Sequence, residues 1–139
     1  MEKITALADR LSPYAPLVLR VSVGLVFAYF GWTSLLSPEM WSGYVPEWTS
    51  VLAAAETLVR FHGALEITLG AALVLGIGTR AVALFLCFDL VHIVTLVGWG
   101  PTAVRDLGLA GAALALAMTG STTAPRVSAA GEAGLPAVE

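Results

Sequence analysis

From Leu17 to Leu36 the chain runs for about 20 residues with a single charge, Arg20, and about 20 apolar residues in a helix cross the hydrocarbon of a bilayer. Three further apolar runs follow, at about Phe61–Leu75, Ala81–Val97 and Thr102–Met118. Each is bounded by glycine, proline or polar residues, and each successive span must reverse direction. The pattern predicts an all-α integral membrane protein, a four-helix antiparallel bundle. The first run exceeds the roughly 7–15 residues of a signal-peptide core, so it reads as a span and not as a removed leader.

Composition agrees. Hydrophobic residues make up 58% of the chain and charged residues 12%, about half the share carried by soluble domains. The 139 residues allow one domain. It divides into an N-terminal cytoplasmic or interfacial segment (1–16), a transmembrane domain (17–119) and a tail (120–139) whose Ala, Ser, Thr, Pro and Gly content predicts disorder. The net charge of −3 and the lack of a basic cluster exclude nucleic acid as a partner. Cys87 stands alone, which excludes an internal disulfide, a CxxC redox pair and a thiolate zinc site; it reads as a small buried apolar group.

Met1–Leu11 has the spacing of a short amphipathic helix, which Ser12-Pro13-Tyr14-Ala15-Pro16 is expected to break and redirect. Arg20 is expected to snorkel to the headgroups. Gly24 and Gly31, and likewise Gly63 and Gly70, lie seven apart on one helical face, where small residues let backbones approach. Ser37-Pro38 ends the first span, and Thr49–Val59 reads as a helix lying at the interface. The apolar part of the fourth span, Leu107–Met118, is too short to cross alone, so Arg105 and Asp106 belong inside its first turn.

With both termini inside, Lys3, Arg10, Arg20, Arg80 and Arg126 face inward against Arg60 and Arg105 outward, as the positive-inside rule favours. Trp32, Trp41, Trp48 and Trp99 then gather at the outer rim.

Ionisable residues inside apolar spans carry the functional expectation, because each costs about 2.5–3.5 kcal/mol at mid-depth. His62 and Glu66 share a face of the second span, Asp89 and His92 share a face of the third, and Arg105 and Asp106 open the fourth. Counted from Phe61, Glu66 lies about 7 Å from the outer end. Arg105, unfavourable at the N-terminus of its own helix, is expected to pair across the bundle with Glu66 or Asp89. The six residues form one polar cluster in the outer half. It suits a quinone ring or lipid headgroup, with Phe27, Tyr29, Phe30 and Trp32 as the enclosing aromatics. It equally suits a salt-bridge network that only fixes helix neighbours. A transition metal on the two histidines and two carboxylates fits by donor type, but no motif of defined spacing supports it, and no metal is expected. A proton or solute path lacks a polar route through the inner half. No serine or cysteine has a nucleophile context, so no catalytic residue is assigned.

The segments Leu19-Arg20, Gly24-Leu25-Val26-Phe27 and Gly31, then Gly63-Ala64-Leu65-Glu66-Ile67-Thr68-Leu69-Gly70 through Gly76, then Thr79-Arg80, resemble the DoxX family of small prokaryotic membrane proteins. The resemblance covers about Leu17–Met118. It implies a four-helix bundle in the prokaryotic plasma membrane with both termini inside. It also implies association with other membrane subunits, since the family takes its name from a subunit linked to thiosulfate:quinone oxidoreductase and other members are linked to redox-stress assemblies. Glu66 is the residue the resemblance marks as a site or structural key. The leading expectation is a subunit of a quinone-linked oxidoreductase or redox-stress complex. The alternative is a non-catalytic scaffold or membrane chaperone. Exposed small-residue faces would also suit a homo-oligomer.

Overall fold

A computed structural model of the chain describes residues 1–119. The expected disordered tail, 120–139, and Arg126 with it, lie outside the described residues. Helix α1 (Glu2–Leu11) leads through a 3-10 turn (Ser12–Tyr14) into α2 (Ala15–Leu36). A connection holding the short helix α3 (Glu39–Ser42) and a 3-10 turn (Glu47–Val51) precedes α4 (Ala55–Leu75), α5 (Thr79–Val97) and α6 (Pro101–Thr119). Helices α2, α4, α5 and α6 are each long and apolar enough to span a membrane. No strand is present among the described residues.

The helix ends follow from local chemistry. Ser37, before Pro38, leaves helical geometry at φ −134°, ψ 63° and stops α2. Gly76 takes φ +80° after α4, so that its own N–H and that of Ile77 return to the carbonyls of Leu73 and Ala72. Gly78, at φ +58°, completes the turn into α5. Pro101 opens α6, where its missing N–H is no loss.

The four long helices form two antiparallel pairs, α2 with α4 and α5 with α6, which meet along a thinner seam. Close backbone approach welds the first pair. A Cβ added to Gly70 would stand 2.6 Å from the Gly24 carbonyl oxygen, and one on Gly63 would stand 2.7 Å from that of Gly31. Across the seam lie Val23, Phe27, Leu73, Leu86, Leu90, Ala113 and Leu116. Large apolar side chains also face outward, among them Leu25, Phe61, Phe85, Phe88 and Leu114. A bundle apolar inside and out is matched to lipid, not to water.

Four expectations change. The prolines near residue 13 do not redirect the chain. The backbone stays right-handed helical through Leu11, Ser12, Tyr14 and Ala15, because Pro13 and Pro16 occupy first-turn positions that need no N–H donor. Helix α1 exposes every residue. Thr49–Val59 is not one interfacial helix: the backbone extends at Ala54 (φ −60°, ψ 142°), and Ala55–Val59 instead begin α4. That start, six residues before Phe61, leaves Glu66 about 16 Å along a helix some 31 Å long, near its middle. Arg20 does not reach outward. Its guanidinium lies against Gly76, where a positive charge meets the negative C-terminal end of α4. Arg60 acts alike at the other end, donating from Nη1 to the Leu35 carbonyl in the last turn of α2.

Candidate functional site

At the end of the bundle bearing the α2–α4 connection, the seam opens into a cavity of about 330 Å³. Both helix pairs contribute to it. Phe27 and Phe30 come from α2, Trp41 and Tyr44 from the connection, and Phe61, His62 and Glu66 from α4. Leu90 and His92 come from α5, and Arg105 and Asp106 from α6. The walls are therefore largely aromatic and aliphatic, with ionisable groups converging from three helices.

Those groups form two clusters. In the first, His62 Nε2 lies 3.5 Å from Asp89 Oδ2 and 3.8 Å from Glu66 Oε1. The α-helical repeat sets His62 and Glu66 on one face of α4, and Asp89 arrives from α5. Glu66 is only 6% exposed. In the second, Arg105 Nη2 lies 2.7 Å from Asp106 Oδ1, and Arg105 Nε donates to the same oxygen at 2.8 Å. The guanidinium also stands 4.5 Å above the Phe30 ring of α2, a cation–π contact that reaches across the seam. Phe30 in turn meets Trp41 edge-on at 6.1 Å. The buried Trp41 indole nitrogen has no acceptor among the described residues.

The expected partner of Arg105 is thus corrected. It takes neither Glu66 nor Asp89. Its own neighbour Asp106 is buried and would be left uncompensated, so the guanidinium folds back to it and turns an aromatic face, not a carboxylate, into its cross-bundle contact. The expected aromatic enclosure changes as well. Tyr29 and Trp32 point away from the bundle, at 64% and 57% exposed, because they lie on the face of α2 opposite Phe27 and Phe30. Trp41 and Tyr44 take their places in the wall, and the largely exposed Phe61 only borders it. Trp41 read in sequence only as one of the tryptophans of the outer rim. His92 lines the cavity, and Asp89 is tied to it through His62. Cys87 is a free thiol, half-buried, packed against the core.

The sequence model of the DoxX family matches residues 15–99, from the first residue of α2 to just past the end of α5. The chain belongs to the DoxX family. It is a DoxX-like multi-pass integral membrane protein, its outward apolar faces in contact with lipid. Neither a curated protein nor a solved structure matches it. The match to DoxX takes in His62, Glu66, Asp89 and His92, whereas Arg105 and Asp106 lie beyond the matched residues. In this DoxX protein the cavity is therefore closed by a helix that the family match does not include.

Proposed function

We propose that this protein is a membrane subunit of a quinone-linked oxidoreductase or redox-stress complex in a prokaryotic plasma membrane. Both termini lie inside, and the cavity opens toward the outer leaflet. One observation carries the reading: a cavity of ligand size, about 330 Å³, combines aromatic walls with a histidine and carboxylates at its polar end. A quinone head has the same division, a flat apolar ring edged by two carbonyl oxygens. Phe27, Phe30 and Trp41 would hold the ring. His92 and Glu66 would exchange the two protons that accompany its two-electron reduction, the electrons coming from a partner subunit.

The test is a titration of purified, detergent-solubilised protein with a short-chain quinone, followed by quenching of tryptophan fluorescence. Saturable binding is expected, weakened about tenfold or more in Glu66→Gln and in His92→Ala. Equal affinity in the wild type and both variants would remove the basis for this site.

The scaffold reading also has an observation in its favour. The Arg105–Asp106 pair over Phe30 holds α6 against α2 without any ligand. Under that reading Glu66→Gln lowers thermal stability and there is no quinone affinity to lose. A solute path is disfavoured by the buried centre, which is built of Leu, Val, Ala and Phe.

A further inference from the structure

We propose that His62, Glu66 and Asp89 form a binding site for one divalent first-row transition-metal ion, at the seam between the helix pairs. One ligand atom from each can be chosen so that all lie within 4.8 Å of one another. The separations of 3.5 Å and 3.8 Å from His62 Nε2 to the two carboxylates are too long for the charge-assisted hydrogen bonds such groups make when they pair directly. The Arg105–Asp106 pair closes to 2.7 Å in the same cavity, so the wider spacing is particular to this cluster. With metal–ligand bonds of about 2.1 Å, neighbouring ligands of a tetrahedral ion stand about 3.4 Å apart, close to the two separations measured from His62, while the two carboxylates lie within 4.8 Å of each other.

Burial supplies a separate argument. Glu66 is more than nine-tenths buried, lines the cavity, and makes no hydrogen bond among the described residues. A carboxyl group so placed must carry a proton or meet a cation. The neighbouring Arg105 is engaged by Asp106 and is not within ion-pairing distance of Glu66 among the described residues. Two carboxylates and one neutral imidazole around a divalent ion sum to zero charge, the sum that apolar surroundings tolerate best. One nitrogen and two oxygens favour zinc, iron(II) or manganese over copper(I), which prefers sulfur. Three protein ligands leave a coordination position toward the cavity for water or a bound molecule.

A bound ion would hold Glu66 deprotonated and take the place of its proton exchange, leaving His92 for that role; the test needs no quinone, so it can fail separately from the function proposed above. Chelator-treated protein in detergent is titrated with Co²⁺, read by its visible absorption, and the bound ion is then displaced by Zn²⁺. One saturable ion per chain is expected. Binding should weaken at least tenfold in His62→Gln, Glu66→Gln and Asp89→Asn, and stay unchanged in Glu39→Gln, which alters an exposed carboxylate of α3. Asp89→Glu keeps the charge and moves the donor by one methylene, so it should shift the Co²⁺ spectrum even if the neutral variants fold poorly. Absence of saturable binding would overturn the proposal. So would binding in which neither the three ligand variants nor Asp89→Glu changes the affinity or the spectrum.

Discussion

His62 Nε2 and Asp89 Oδ2, 3.5 Å apart, join α4 to α5 across the thin seam between the two helix pairs. The contact is polar, yet too long to count as a strong hydrogen bond. Removing a charge here should therefore cost little stability. In chelator-treated protein, Glu66→Gln and Asp89→Asn are each expected to change the unfolding free energy by less than about 1 kcal/mol, because an amide of the same shape abandons no short bond. Thermal unfolding in detergent measures it. A loss of about 3–5 kcal/mol, the usual result of breaking a buried ion pair, would favour the scaffold reading.

Gly63 and Gly70 should tolerate no side chain. The atoms that an added Cβ would meet first are backbone carbonyl oxygens of α2, which cannot rotate aside, so α2 and α4 would have to separate. Gly63→Ala and Gly70→Ala are each expected to destabilise the protein by about 1–3 kcal/mol, the range for overpacking. Gly108 and Gly111 in α6 have nothing within 4 Å of the same construction. Their alanine variants should be neutral or gain up to about 1 kcal/mol from helix propensity. Chemical unfolding of the four variants side by side separates crowding from propensity.

The four spans could be read from the sequence because hydropathy is a summed property, insensitive to any one contact. Their ends were readable where Gly76 and Pro101 act locally. The start of α4 was not. Ala55-Glu56-Thr57 is not apolar, but Glu56 suits the positive first turn of a helix that extends beyond the greasy run. The inward face of α2 was available in principle. Gly24 and Gly31 mark the face that meets α4, and Phe27 lies near it; Phe30 lies no nearer to it than Trp32, and is drawn inward only because α6 packs on its side. The partner of Arg105 was hidden because residues one apart do not normally face each other on a helix, and only the length of the guanidinium lets it return to Asp106. The three proposed metal ligands come from two helices, so no consecutive motif announces them.

Gly76 should matter through its backbone. Its φ of +80° excludes an ordinary side chain. The atom a Cβ would meet first is the end of the flexible Arg20 side chain, which can move aside, so Gly76→Ala is expected to lose about 1–2 kcal/mol, the cost of the left-handed conformation. Arg20→Met keeps the aliphatic stem and removes the charge from the C-terminal end of α4, so a loss of about 1 kcal/mol is expected. If Arg20 instead served the headgroups, Arg20→Met would leave unfolding in a neutral detergent unchanged.

Arg105 and Asp106 should behave as a unit. Asp106 is 2% exposed and its carboxylate is held by the guanidinium alone among the described residues. Arg105→Met would leave that charge buried and uncompensated, with an expected loss of about 3–5 kcal/mol. Asp106→Asn should cost less, because the half-exposed guanidinium keeps its place over Phe30. The double variant should recover most of the loss, since neither charge then remains. Phe30→Leu removes the cation–π contact and the ring edges against Trp41 and Tyr29, for an expected loss of about 1–2 kcal/mol. A double-mutant cycle on Arg105 and Asp106, with Phe30→Leu as a third axis, measures both couplings by thermal unfolding. Additive losses along the Arg105–Asp106 edge would show that the pair does not hold α6 in place, and the closure of the cavity by that helix would need another cause.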